Sequence, residues 1–253
     1  MQKREDYMGK TIMLLGVYGM ESVECGGVLA KNAKDGGKSI ASIMLAGEKM
    51  KENLKNSSQI LNIEMSYTDF ESGNINVDLD SKKKLVREIR KFKPDIIITQ
   101  DPHGCISDFD PDRRLAMTLI LEAISLCNRN FDEWSIKEYG LHKIPNIYYM
   151  FAHDTDTVID ISSVWEEKNA AMQCLESQLE FSGKHFETYY GNETMSKIVS
   201  NWNELDSYLE KGKAAQKCFD YALYLSNGSA HHGQVAFAEC YKKEGKFYLD
   251  NLI

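Results

Sequence analysis

The stretch TIMLLGVYGMESVECGGVLAKNAKDGGKSIASIML, residues 11–45, decides the fold. It opens on a short apolar run, residues 11–17, that ends in a glycine-bearing turn, the pattern of a buried strand. Residues 22–34 follow with Val23, Gly26, Gly27 and Ala30 able to share one helical face, and Gly36-Gly37 closes the segment as a helix C-terminus is closed. A second apolar run, residues 38–45, completes a strand–helix–strand unit, whose crossover is right-handed and whose two strands are parallel.

The same alternation continues outward. Residues 48–58 are expected to be helical, and 60–65 to form a third, weaker strand. Leu85, Val86, Ile89 and Phe92 give 79–93 helical spacing, stopped by Pro94. DIIIT at 95–99 is β-branched and reads as a buried strand, and 112–127 as a further helix. These units predict an α/β protein, a Rossmann-like three-layer fold with a mostly parallel sheet. Ligands of such sheets bind beyond the carboxyl ends of the strands, which singles out the loops 17–21 and 100–112. In the second half, 146–151, 157–161 and 234–241 are expected strands. Residues 163–179 are an expected amphipathic helix, and 194–225 contain one long helix or two broken at Gly212. No repeat or linker is visible. The chain reads as one domain over 1–253, with the core sheet motifs in 1–128 and further elements in 129–253.

Bulk composition narrows the function classes. Of the 253 residues 43% are hydrophobic and 27% charged, ordinary for a globular chain, and a net charge of −8 argues against a nucleic-acid partner. The basic group Lys82, Lys83, Lys84, Arg87 and Arg90 is read as the solvated face of a helix. No apolar run reaches the length of a membrane span, and Lys3 and Arg4 precede no signal-type apolar segment, so a cytoplasmic protein is expected. The six cysteines form no CxxC pair, which signals neither a zinc ribbon nor a redox motif. Phosphate-loop motifs and GxSxG are absent. Cys25, at an expected helix start, would have a lowered pKa if it were a nucleophile. The commoner role of such a residue is a small buried packing group.

Four landmarks in order resemble the PIG-L/LmbE family of zinc-dependent N-acetyl-sugar deacetylases: TIMLLGV with ECGGVLAKNAKDGG, PDIIITQDPHG with DPDRRLA, TVIDISSVWEEKNAAMQCLESQ, and VAFAECYKKEGK. Together they span almost the whole chain. The resemblance implies a zinc ion held by two His and an Asp, with a neighbouring Asp as base. The metal would polarise the amide carbonyl and bring the pKa of its bound water to about 7. Counting back from Gly26-Gly27, the first His position falls on Val17, the Pro on Tyr18, the base on Gly19 and the metal-binding Asp on Met20, while Glu21 matches the family's Glu. In the second motif Asp110, Pro111 and Asp112 match, and the last ligand His falls on Arg113. Val has no donor atom, Met suits copper(I) better than zinc, and Arg has no lone pair to give. The expectation is therefore no metal ligand set and no cofactor, with zinc bound only if the site is rebuilt.

Two function classes stay open. One is a deacetylase-fold protein that binds a sugar-like ligand or a partner subunit without conventional zinc chemistry. The other is an N-deacetylase or amide hydrolase working through a rebuilt metal site around His103 or through metal-free acid–base chemistry by Glu21, Asp101, His103 and Asp112. Tyr18, Asp69, Asp110, Arg113, His231 and His232 are the candidate substrate-binding residues, and Lys49 or Lys51 would replace an Arg that contacts sugar in relatives. Arg113 is expected to place its guanidinium where the metal charge would be, partnered by Glu21, Asp101 or Asp112. Expected partners are a small sugar-like ligand and a homo-oligomer or active paralogue, with no nucleic acid and no membrane.

Overall fold

The computed structural model describes residues 9–229 and 233–246. Seven strands form one sheet: β1 Thr11–Tyr18, β2 Lys38–Leu45, β3 Glu64–Tyr67, β4 Ile96–Gln100, β5 Asn146–Met150, β6 Thr157–Asp160 and β7 Ala238–Lys243. Their order is β3-β2-β1-β4-β5-β7-β6. The first five are parallel, and β7 pairs antiparallel with both β5 and β6. The architecture is the expected mostly parallel three-layer α/β fold.

Strand alternation explains the two cores. Met13, Leu15 and Val17 of β1 face one way, into a cluster with Ile40, Val86, Ile89, Ala116 and Ile120. Ile12 and Leu14 face the other way, against Leu29, Ala41, Ile43, Leu54 and Met172. The first layer carries α4 (Leu79–Phe92), α6 (Pro111–Leu126) and α7 (Glu133–Tyr139). The second carries α2 (Gly26–Lys34), α3 (Glu48–Leu61) and α8 (Trp165–Gln173). Two long helices, α9 (Glu176–Ile198) and α10 (Tyr208–Ser229), close a third cluster around the fully buried Trp202. Among the described residues, no helix is long and apolar enough to cross a membrane.

Several expected boundaries are corrected. The helix at 22–34 is two pieces, α1 (Glu21–Glu24) and α2, because Cys25 leaves helical geometry at φ −98° and ψ 12°. The strand placed at 60–65 begins only at Glu64, since α3 runs on to Leu61 and ends on left-handed Asn62. The expected helix 163–179 breaks before Leu175, whose ψ of 54° ends one axis and opens α9. The last strand lies later than 234–241. Gly212 is no break: it sits inside α10, which begins at Tyr208. An added Cβ on Gly212 would stand 1.8 Å from the carbonyl oxygen of Leu179, and one on Gly183 would stand 2.0 Å from that of Tyr208. The two glycines let α9 and α10 touch backbone to backbone.

Candidate functional site

The chain runs from β1 through β2 and β3 on one side of the sheet, then returns to place β4 on the other side of β1. This reversal opens a crevice beyond the carboxyl ends of β1 and β4, the usual ligand position in such sheets. The residues singled out from the two loops converge here.

Glu21 folds back under the end of β1. Its carboxylate accepts the amide protons of Val17 at 2.9 Å and Tyr18 at 3.1 Å, and that of the Gln100 side chain at 2.9 Å. Burial drives its pKa up from 4.5 to about 8, helped by the negative charge of Glu24 and opposed by the two backbone hydrogen bonds and the charge of Arg113. Asp101 caps the short helix α5 (Pro102–Ile106), accepting from the backbone of His103 and Gly104. Asp110 caps α6 in the same way and accepts the Tyr18 hydroxyl at 2.8 Å. Burial, with that bond second, holds the Tyr18 phenol well above its usual pKa. Asp112 is buried and ties down the preceding loop through Ser72 and the Gly73 amide. Each of these carboxylates thus holds backbone in place, Asp101 and Asp110 as helix caps and Asp112 across the fold.

Arg113 lies across this crevice. Its guanidinium is 5.5 Å from the centre of the Tyr18 ring and 3.3 Å from Asp108, and its Nε is buried without a hydrogen-bond partner. The partner is therefore Asp108, not the expected Glu21, Asp101 or Asp112, whose oxygens face amide donors. Asp69 has left-handed backbone at φ 49° and pairs with Lys51 at 2.9 Å, joining the expected sugar-contacting pair to each other. His103 is exposed on α5. His231 and His232 lie outside the described residues. Cys25 is buried, and burial raises its thiol pKa well above the ordinary value, opposite to the lowering expected at a helix start.

Three cavities open around these groups. One of about 430 Å³ is lined by Tyr18, Met20, Met50, Phe70, Ser72 and Gln178. A second, about 170 Å³, is lined by Gln100, Asp101, Cys105, Asp108, Arg113 and Phe151. The third, about 350 Å³, lies behind Phe151 and contains Glu24, Tyr224, Asn227, Glu239 and Tyr241. Sequence reasoning assigned no role to Glu24, Lys168 or Glu239, although each stands inside one of the quoted landmarks. Lys168 and Glu239 pair at 2.8 Å, each 2% exposed.

The donor set does not fit zinc. Val17 packs in the core with Met13 and Leu15, and Met20 and Arg113 offer neither a carboxylate nor an imidazole. Among the described residues, no three His, Cys, Asp or Glu side chains are grouped to hold a metal ion.

Comparison with known proteins agrees with the architecture. No family's sequence profile matches the chain. It is 31% identical to the diacetylchitobiose deacetylase of Thermococcus kodakarensis over 130 residues, 50% of this chain and 48% of that protein. It is 26% identical to the 4-oxalmesaconate hydratase of Pseudomonas putida over 147 residues, 55% of this chain and 53% of that protein. The chain thus spans about half the length of the curated relatives it matches. The structure of N,N'-diacetylchitobiose deacetylase from Pyrococcus horikoshii superposes with a TM-score of 0.66 at 17% identity, over 92% of this chain and 83% of that one. With the fold and these relatives in agreement, the chain has the architecture of the deacetylase it superposes on and resembles the PIG-L/LmbE family, and it carries Val17, Met20 and Arg113 at the three positions that this resemblance assigns to zinc ligands.

Proposed function

We propose that this protein binds a small sugar-like ligand in the crevice at the ends of β1 and β4, with the guanidinium of Arg113 supplying the positive charge that a metal supplies in conventional deacetylases. The observation that carries this reading is the placement of Arg113. It lies over Tyr18, which lines the larger crevice cavity, and itself lines the smaller one, with a buried Nε left free to donate. A carboxylate-rich crevice needs a cation, and Arg113 fills that need with fixed geometry. Glu21, Asp101, Asp110 and Asp112 act in this reading as the frame that positions the loops. The two curated relatives are named for different reactions, so the fold alone does not choose a chemistry.

The test is calorimetric titration with N-acetylglucosamine and its β-1,4-linked disaccharide, beside elemental analysis of protein purified without chelator or metal-affinity tag. Saturable binding, weakened about ten-fold or more by Arg113→Gln, is expected from loss of a charge-assisted hydrogen bond. Zinc should be far below one per chain. Near-stoichiometric zinc together with acetate release from either sugar would overturn the proposal.

A further inference from the structure

The cavity behind Phe151 holds two carboxylates treated very differently. Glu239 is saturated: it accepts from the amides of Gly27 and Val28, from Lys168 and from the Tyr241 hydroxyl. Lys168 in turn spends all three of its N–H bonds, on the carbonyls of Val23 and Glu24 and on Glu239. The Tyr224 hydroxyl also goes to the Glu24 carbonyl. The Glu24 carboxylate is thus left without a donor among the described residues, although it lines a cavity of about 350 Å³. Buried Asp220 adds its charge to the same neighbourhood. Three carboxylates therefore share one buried ammonium, and the group the cluster lacks is a second cation with N–H donors. Met150, Phe151 and Leu223 supply apolar wall for a carbon frame, and Asn227 an amide beside it.

We propose that this cavity is a binding site for a small organic ammonium ion, with the Glu24 carboxylate as its anionic partner. The volume is at the lower end of that of small-molecule sites and accommodates one six-membered ring. The site is distinct from the Arg113 crevice, so the two readings stand or fall separately.

Cyclohexylammonium and its neutral isostere cyclohexanol test it, titrated into the full chain by calorimetry. The amine should bind saturably and at least about ten-fold more tightly than the alcohol, the margin of one charge-assisted hydrogen bond. Glu24→Gln should abolish that preference, while Arg113→Gln should keep it. Leu223→Trp, which fills the cavity from α10 and leaves Glu24 in place, should block the amine and serves as the second variant if Glu24→Gln does not melt cooperatively. No amine binding at about 10 mM, equal affinity for amine and alcohol, or a preference that survives Glu24→Gln or Leu223→Trp would each overturn the proposal.

Discussion

Replacing Glu24 by Gln should make the protein more stable, and only above a defined pH. The carboxyl is partly buried and has no hydrogen-bond donor, so removing its charge breaks no bond among the described residues. Burial raises its pKa from 4.5 to about 7, with the nearby charge of Lys168 opposing the rise and that of Asp220 adding to it. The sign follows from which state holds the proton. Below pH 4.5 the carboxyl is protonated in both folded and unfolded chains, and its contribution to stability is fully present. Between 4.5 and about 7 the unfolded chain releases the proton and the folded chain keeps it, so stability falls as pH rises. Above about 7 both are ionised and the loss is complete. At about 1.4 kcal/mol per pH unit, and allowing for water reaching the cavity, the loss is about 2–3 kcal/mol. The Gln variant escapes it. It also relieves Glu21, whose pKa is raised in part by the charge of Glu24. Thermal melts of both proteins from pH 4 to pH 8.5 should therefore coincide at the acid end. They should separate by roughly 4–10 °C at the alkaline end. A constant difference across the range would mean that the Glu24 carboxyl titrates alike in folded and unfolded chains, and a variant less stable at pH 8 would mean that its carboxylate has a partner in the folded protein; either result would refute the reasoning.

Other perturbations probe other parts of the structure. Gly212→Ala must push α10 away from the Leu179 carbonyl, at a cost of about 3 kcal/mol, read as a lower midpoint in urea unfolding. Lys168→Met leaves Glu239 buried without its cation and takes the ammonium donor from the carbonyls of Val23 and Glu24, of which Glu24 keeps the Tyr224 hydroxyl, and should cost about 3–5 kcal/mol by the same assay. Tyr18→Phe removes the donor to Asp110 but keeps the ring under Arg113, so a stability loss of only about 1 kcal/mol is expected, with cooperative melting retained. His103→Ala should leave both metal content and melting temperature unchanged, since the side chain is exposed on α5; zinc present in the parent and lost in this variant would instead reveal a rebuilt metal site.

Which features were legible beforehand has a physical explanation. The strands β1, β2 and β4 announce themselves because a parallel strand covered on both faces must be apolar nearly throughout, and TIMLLGV, KSIASIML and DIIIT are. The helix ends were harder, because they depend on contacts rather than on composition. Gly212 looks like a helix breaker in sequence, yet in the fold it is the point where a second helix approaches. Cys25 stands near a helix start, which favours a thiolate, but complete burial outweighs that effect and raises the pKa. Arg113 lines the crevice at the strand ends, yet its carboxylate partner is Asp108 rather than the expected Glu21, Asp101 or Asp112. Which of several neighbouring carboxylates remains free for a guanidinium depends on where backbone amides point.

The sequence alone determined the fold class, because apolar runs of strand length alternating with helical spacing make a parallel sheet, and its resemblance to the PIG-L/LmbE family is what set valine, methionine and arginine against two imidazoles and a carboxylate. Only the tertiary structure decided how the buried charges share their protons. Lys168 reaches Val23 across 145 positions of sequence and Glu239 across 71. No local pattern encodes such a meeting. A hydrogen-bond donor has a fixed number of protons, and only when distant segments pack together is it settled that Glu239 receives its share while Glu24 faces an open cavity.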